Sequence, residues 1–517
     1  MRSCFWRARV MAVRNNAHLF FLKKLCFSYL YRPVMRALDW EWRRGEHWAV
    51  LGPNGAGKSS LAAVLSGEQK HYAGTYTRSD ELEGSGIAYV CFETGRRLCE
   101  RDRKLDCAEF EGSASDTGTR VRDLLAQDDE LSTLRARIIE LLNLEPILER
   151  GLRHVSTGEM RKTLLASALL KKPGLLILDS PLDGLDLETQ RRFGHALNRI
   201  ISDSPAVLVL SRSVDEVPQA CSRLLLLGEG RIRDRGDREA ILNSAHTATL
   251  LAAPEVCFKA PEGHAPTEPG TAVAPEAGEP VNENSGPTLE LRDVSASFGG
   301  LCVFRELNWR LDAHQHCLIA GPNGSGKSTL LDLLTGDNHK AYGQEVYLFG
   351  RRRGSGESVW DIKSRFGRVD ARMQFAVPQG SSVADVVLSG HFDSIGLHDR
   401  PTDRQRDRAR NWLRALDLGA FASTEFHTLS FGLQRLVLLA RAMVKAPRIL
   451  LLDEATLSLD AGHRRLLLDA IDHVIASSSC QLLFVSHTAG EVPDCINQQL
   501  SFEPDPGGSR VRVATPD

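Results

Sequence analysis

Gly321-Pro322-Asn323-Gly324-Ser325-Gly326-Lys327-Ser328 is a glycine-rich turn that closes on Lys-Ser. It follows the apolar run Cys317 to Ala320 and precedes Thr329 to Leu334, so strand, turn and helix come in the order of a phosphate-binding P-loop. Backbone N–H groups can surround a phosphate only where no Cβ blocks the approach, and a helix N-terminus adds partial positive charge at the same point. In such a turn Lys327 reaches the outer phosphates, and the Ser328 hydroxyl a magnesium ion.

The turn occurs twice. Gly52-Pro53-Asn54-Gly55-Ala56-Gly57-Lys58-Ser59 stands behind Trp48 to Leu51 and ahead of Ser60 to Leu65, and its Gly52 answers to Gly321 at a step of 269. Leu175 to Asp179 (LLILD) matches Ile449 to Asp453 (ILLLD), and Val155 to Glu159 (VSTGE) matches Leu429 to Leu433 (LSFGL), both at a step of 274. Internal repetition of this kind predicts a duplicated nucleotide-binding domain. The expected boundaries are a basic extension over 1–18, a first domain over 19–251, a Pro/Ala/Glu/Gly-rich flexible linker over 252–287 and a second domain over 288–517. Each domain is expected to be α/β, with a mostly parallel sheet whose buried strands show as short apolar runs. Each also carries a helical insert, Leu124 to Leu144 in the first and Arg404 to Leu418 in the second, the latter with arginines on a solvated outer face.

Composition narrows the class. A chain of 517 residues exceeds what one core supports, and a net charge of −2 with 25% charged residues gives no global case for nucleic-acid binding. No apolar stretch approaches the roughly 20 residues that span a bilayer, so any pore must come from another polypeptide. The eleven cysteines are scattered without a C-x-x-C pair, which points to ordinary thiols in a reducing cytosol. Met1 to Lys24 holds six basic residues and no acid; the readings are a disordered basic extension or translation from Met11, with an organellar targeting segment less favoured for want of a cleavage pattern.

Catalytic candidates follow from charge at strand ends. Asp453, ending a buried apolar strand, orders a magnesium shell, and Glu454 polarises the attacking water. His487 ends the strand Leu483 to Ser486, where an imidazole holds the γ-phosphate. The halves then diverge. The first reads Asp179-Ser180 where the second reads Asp453-Glu454, and Arg212 where the second has His487. Serine cannot act as the carboxylate base, and loss of such a base slows chemistry by about 10²- to 10⁴-fold.

Ser156 and Gly158 in VSTGE, and Ser430 and Gly432 in LSFGL, each stand a short way before the Asp-bearing strand and lead into a helix. These segments resemble the LSGGQ signature of ABC-type ATPases. The resemblance implies two domains packed head to tail, with ATP and Mg²⁺ between the P-loop of one and the signature of the other. On that geometry the competent site joins Lys327, Ser328, Asp453, Glu454 and His487 to Ser156 and Gly158. The weak site joins Lys58, Ser59 and Asp179 to Ser430 and Gly432. It further implies adenine stacking on Tyr29 and Phe298, which stand equally far ahead of their P-loops. Glutamine is not clear after either central strand, where Glu93 and Asp370-Ala371 stand instead, which departs from the family's usual coupling loop. The run Leu348 to Lys363, with Arg351-Arg352-Arg353, the VSTGE-x-RK segment and Phe392 to Gly396 are similar to the ModF family of tandem ATP-binding proteins associated with molybdate transport. That family normally keeps a glutamate where Ser180 stands. The implied partner is a separate membrane permease, and the implied place is the cytoplasm or the inner face of the membrane. The competing reading is a non-transport ABC ATPase acting on ribosomes or DNA, whose tandem members join their halves by a charged helix.

Overall fold

The computed structural model describes residues 9–13, 18–29, 32–70, 72–104, 118–126, 131–252, 256–259, 286–298, 301–337, 343–370, 373–486, 492–505 and 507–514. The chain divides into two compact units, Met1–Ala252 with Asp460–Gly462, and Ala253–Leu459 with His463–Asp517.

In unit 1 the sheet core runs Arg231–Asp237, Arg223–Gly228, Trp48–Leu51, Val207–Ser211, Leu175–Asp179, Ile87–Val90, parallel except for the Arg231–Asp237 edge. Leu175 and Ile177 face one apolar cluster, while Leu176 and Leu178 face another. Burial on both faces is why such strands read as unbroken apolar runs. A second, mostly antiparallel sheet runs Arg9–Val13, Ala73–Ser79, His18–Tyr29, Arg32–Arg43. In its last strand Leu38, Trp40 and Trp42 alternate inward, but Met35 also faces in, out of step with them. Ala37, at φ 53°, is the bulge that shifts the alternation, and the pairing register slips beside it. Trp40 and Trp42 pack on Phe20 at 5.1 and 5.3 Å between ring centroids. Such edge-on pairs contribute about 0.5–1.5 kcal/mol each beyond area burial.

Unit 2 repeats the plan in one ten-stranded sheet, because a single pairing, Phe304 with Ser509, joins its antiparallel part to the parallel core. The core order is Gln498–Asp505, Cys317–Ala320, Gln481–Ser486, Ile449–Asp453, Phe366–Asp370, all parallel. Glu306, at φ 52°, is the bulge counterpart of Ala37, and Phe304, Leu307, Trp309 and Leu311 are buried around it.

Two expectations differ from what the residues do. Arg9–Val13, inside the supposed basic extension, is a strand parallel to Ala73–Ser79, because the apolar run Val10 to Val13 can complete an open sheet edge. Val256 and Phe258, inside the supposed flexible linker, pack on the unit 2 core. There Phe258 stacks on His473 at 5.7 Å, and the Lys259 amide donates to the Ala415 carbonyl at 3.0 Å. Arg353, within the arginine- and glycine-rich run Leu348 to Lys363, is 5% exposed. The inserts are helical over Ser132–Leu142 and Asp403–Ala415, the latter with Arg404, Arg406, Arg410 and Arg414 exposed and Trp412 and Leu413 buried.

Candidate active sites

In each unit the parallel strands end together and put their following loops on one edge, where ligands bind in open α/β sheets. In unit 2, Ala320 pairs with Ser486, Asp453 with Val485, and Asp370 with Asp453. Gly321, Glu454 and Asp453 are thereby gathered from segments far apart in the chain.

The loop after Ala320 is shaped by glycine. Gly321 and Gly326 have φ of 150° and 104°, and a Cβ on them would lie 2.7 Å from Phe502 Cβ and 2.5 Å from Val303 Cγ1. Lys327 opens the helix Lys327–Thr335 and its Nζ donates to the Gly321 and Pro322 carbonyls at 2.7 and 2.8 Å. Ser325 Oγ is buried without a hydrogen-bond partner among the described residues, a hydroxyl placed to meet a phosphate oxygen. Unit 1 repeats the arrangement: Lys58 Nζ donates to Gly52 and Pro53 carbonyls at 2.6 and 2.9 Å, from the start of Lys58–Ser66. Asn54, Gly55, Ala56 and Gly57 complete that turn, and Asn323 and Gly324 its counterpart. Both loops fit a polyphosphate.

The magnesium candidates also converge. Ser59 Oγ donates to Asp179 Oδ2 at 2.6 Å, which gives one hydroxyl and one carboxylate, the sparse hard-oxygen set that Mg²⁺ takes beside substrate phosphates. In unit 2 the same elements carry Ser328 and Asp453. Burial, then the neighbouring Glu454 and Asp370 carboxylates, push the Asp453 carboxyl up to about 6.

Ser180 and Glu454 occupy one backbone position in the two repeats. Both are left-handed, at φ 47° and 51°, and their amides donate to Leu210 and Val485 carbonyls at 2.9 and 3.2 Å. The position is conformationally costly for any residue with a Cβ. Glu454 carries a carboxylate there; Ser180, 3% exposed, carries a hydroxyl that donates to Asp179 Oδ1 at 3.3 Å. His487 lies outside the described residues.

Ser156 and Ser430 are helix N-caps, accepting from Glu159 and Leu433 amides at 3.2 and 3.4 Å, and Ser156 is part of a capping box with Glu159. A Cβ on Gly158 would lie 2.9 Å from Leu185 Cδ2, and one on Gly432 2.0 Å from His463 Cδ2. Tyr29 ends its strand 63% exposed, so it is a surface ring rather than a core aromatic. Phe298 ends Leu289–Phe298, and its side chain lies outside the described residues. Glu93 begins the helix Phe92–Lys104 and pairs with Arg96 at 2.8 Å; Ala371 is outside the described residues.

Sequence reasoning missed four residues of the unit 1 site. Tyr89 Oη donates to Asp179 Oδ2 at 3.0 Å, and burial pushes its phenol up. Asp183 is bridged by Arg212 at 2.7 Å and Arg161 at 3.5 Å, and Arg161 also donates to the Ser180 carbonyl. Glu216 accepts from the Arg212 amide at 3.0 Å. An arginine inside the mostly apolar run Met160 to Leu170 was the one available signal.

The profile of the ABC transporter family matches residues 35–183 and 304–457. The chain is 36% identical over 465 residues to the ABC transporter ATP-binding protein ModF of Escherichia coli, covering 90% of this chain and 92% of that one. It is 22% identical to an uncharacterised ABC transporter ATP-binding protein of Schizosaccharomyces pombe, over 91% and 95% of the two chains. Among solved structures, one of ribosome-bound archaeal Pelota and ABCE1 is similar in fold, with a TM-score of 0.56 at 19% identity over 91% of this chain and 75% of that one.

Proposed function

The chain belongs to the ABC transporter family, and from that premise we propose a tandem ATPase whose second unit hydrolyses ATP while its first holds it, serving a membrane permease for molybdate or a similar oxyanion. The observation that carries the division is the shared left-handed position of Ser180 and Glu454, which differ in having a carboxylate to polarise water. In unit 2, Glu454 is the general base, Lys327 with Gly321 to Ser328 binds the phosphates, and His487 contacts the terminal one. Ser328 and Asp453 hold Mg²⁺, which when bound neutralises charge on the phosphates. Unit 1 has the binding loop, Ser59 and Asp179 without the base, and Tyr29 supplies an exposed face for adenine. The molybdate assignment is supported by the resemblance of 155–162, 348–363 and 392–396, and by overall similarity to the Escherichia coli protein. Among the described residues no helix is long and apolar enough to cross a membrane, so the pore is assigned to a partner.

The test uses two variants. Glu454→Gln should lower turnover by about 10²- to 10⁴-fold with ATP still bound, and should co-purify from solubilised membranes with an integral membrane protein. Ser180→Ala should leave turnover within about twofold. An equal loss from Ser180→Ala would sink the division of labour, and recovery of ribosomes instead of a permease would sink the transport role.

A further inference from the structure

We propose that Arg212 makes unit 1 selective for a nucleoside triphosphate over its diphosphate, with Asp183 as the latch that holds the guanidinium until a terminal phosphate takes it. This deepens, and rests on, the reading of unit 1 as a holding site. The strand Val207–Ser211 is paired in parallel with the P-loop strand, Leu51 against Ser211, so Arg212 follows directly beside Gly52, the first residue of the phosphate loop. Its guanidinium is 19% exposed and lies 2.7 Å from the Asp183 carboxylate, which follows Asp179 and Ser180 by one short loop. Lys58 stands at the same loop, its Nζ donating to the carbonyls of Gly52 and Pro53 at 2.6 and 2.9 Å. Two cations brought together at a phosphate loop form an anion site, and the guanidinium offers a fork that matches two oxygens of a terminal phosphate.

Asp183 is what makes the exchange feasible. It is shared, 3.5 Å from Arg161, so when Arg212 turns to a phosphate the carboxylate stays paired. The second repeat keeps an arginine at the position of Arg161, Arg435, but Leu457 stands at the position that answers to Asp183, and the residue following its matching strand is His487. Asp183 and Arg212 are therefore present together in one unit and replaced together in the other. Without a carboxylate at 180, the bound triphosphate has no base to activate water against it.

The full-length Lys327→Ala chain confines nucleotide binding to unit 1, and its affinities for Mg²⁺-ATP and Mg²⁺-ADP are read by calorimetry. The parent should prefer ATP by about 10- to 100-fold, the worth of a charge-assisted contact. Arg212→Gln should bring that ratio near one by weakening ATP alone, and Arg212→Lys should leave it intermediate. Asp183→Asn should act in the opposite sense, tightening ATP about threefold or more with ADP unchanged, a result that a merely structural ion pair cannot give. Thermal melts check that each variant is folded. An unchanged ATP-to-ADP ratio in folded Arg212→Gln, or equal weakening of both nucleotides by the two substitutions, overturns the assignment of Arg212 and leaves the holding site standing. No binding of either nucleotide by the Lys327→Ala chain overturns the holding site itself.

Discussion

Asp453, proposed above to hold magnesium, sits where a carboxylate is least comfortable: at the sheet edge, beside Glu454 and Asp370, with its carboxyl raised from 3.8 to about 6. A raised carboxyl favours the neutral form, so its benefit to the folded state is present below about pH 4 and is lost as pH rises through about 6. At neutral pH the ionised group therefore costs unit 2 up to about 3 kcal/mol in the absence of a cation. Asp453→Asn should raise the melting temperature of the nucleotide-free protein in chelator at pH 7.5, with the gain closing as pH falls toward 4, while hydrolysis is abolished. Apparent Mg²⁺ affinity of unit 2, read by calorimetry, should weaken as pH drops through about 6, since a cation must displace the proton from Asp453. An Asp453→Asn chain that melts below wild type at pH 7.5 would show that the charge is satisfied within the protein. The place of Asp453 was legible in the sequence, as the acid that ends the apolar run Ile449 to Asp453. The Arg161–Asp183–Arg212 group was not, because ion pairs between a helix and two separate loops have no spacing to betray them and depend on how those loops end.

At the scale of elements, the run Leu348 to Lys363 shows how composition misleads. Three consecutive arginines beside glycines read as one solvated loop, but Arg351 and Arg352 are exposed and Arg353 is not. The hairpin turns Arg353 under the P-loop helix, where Nη1 donates to the carbonyls of Leu333 and Leu334 at 3.1 and 3.5 Å. These are carbonyls of the last turn of Lys327–Thr335, where a cation offsets the helix dipole. The Arg353 amide is tied in turn to the Val346 carbonyl at 2.7 Å, so the hairpin fixes the far end of the helix whose near end carries the Gly321 to Ser328 loop. Arg353→Met should destabilise unit 2 by about 2–4 kcal/mol, since it leaves buried carbonyls unpaired. Arg351→Ala and Arg352→Ala should stay within about 0.5 kcal/mol. Urea midpoints of the three variants decide it, and equal midpoints would return the run to the solvated loop its composition suggested. The segment Val256 to Lys259 teaches the same point in reverse, because two apolar residues in a Pro/Ala-rich stretch were enough to dock it.

Over the whole molecule, the repeat was readable in its motifs but not in its backbone. Left-handed residues recur at the steps the motifs set: Lys24 with Asp293 and Ala37 with Glu306 at the P-loop step, then Asn143 with Asp417, Lys172 with Ala446 and Ser180 with Glu454 at the step of the Asp-bearing strands. None of these pairs shares a residue type, so the bulges and turns they make were invisible to pattern reading, as was the single Phe304 to Ser509 pairing that merges two sheets in unit 2. The same comparison shows where the duplicated halves have parted, since the backbone at 180 and 454 is kept and the carboxylate is not. The proposed division, two phosphate loops with one base, gives a nucleotide count that can be measured. After incubation with Mg²⁺-ATP and rapid desalting, wild type should carry about one intact ATP per chain, Glu454→Gln about two, and Lys58→Ala none, because its remaining site hydrolyses what it binds. Acid quench and chromatography of the bound nucleotide report each count directly. Wild type that retains only ADP, or Lys58→Ala that retains as much ATP as wild type, would mean that unit 1 is not where the unhydrolysed nucleotide resides.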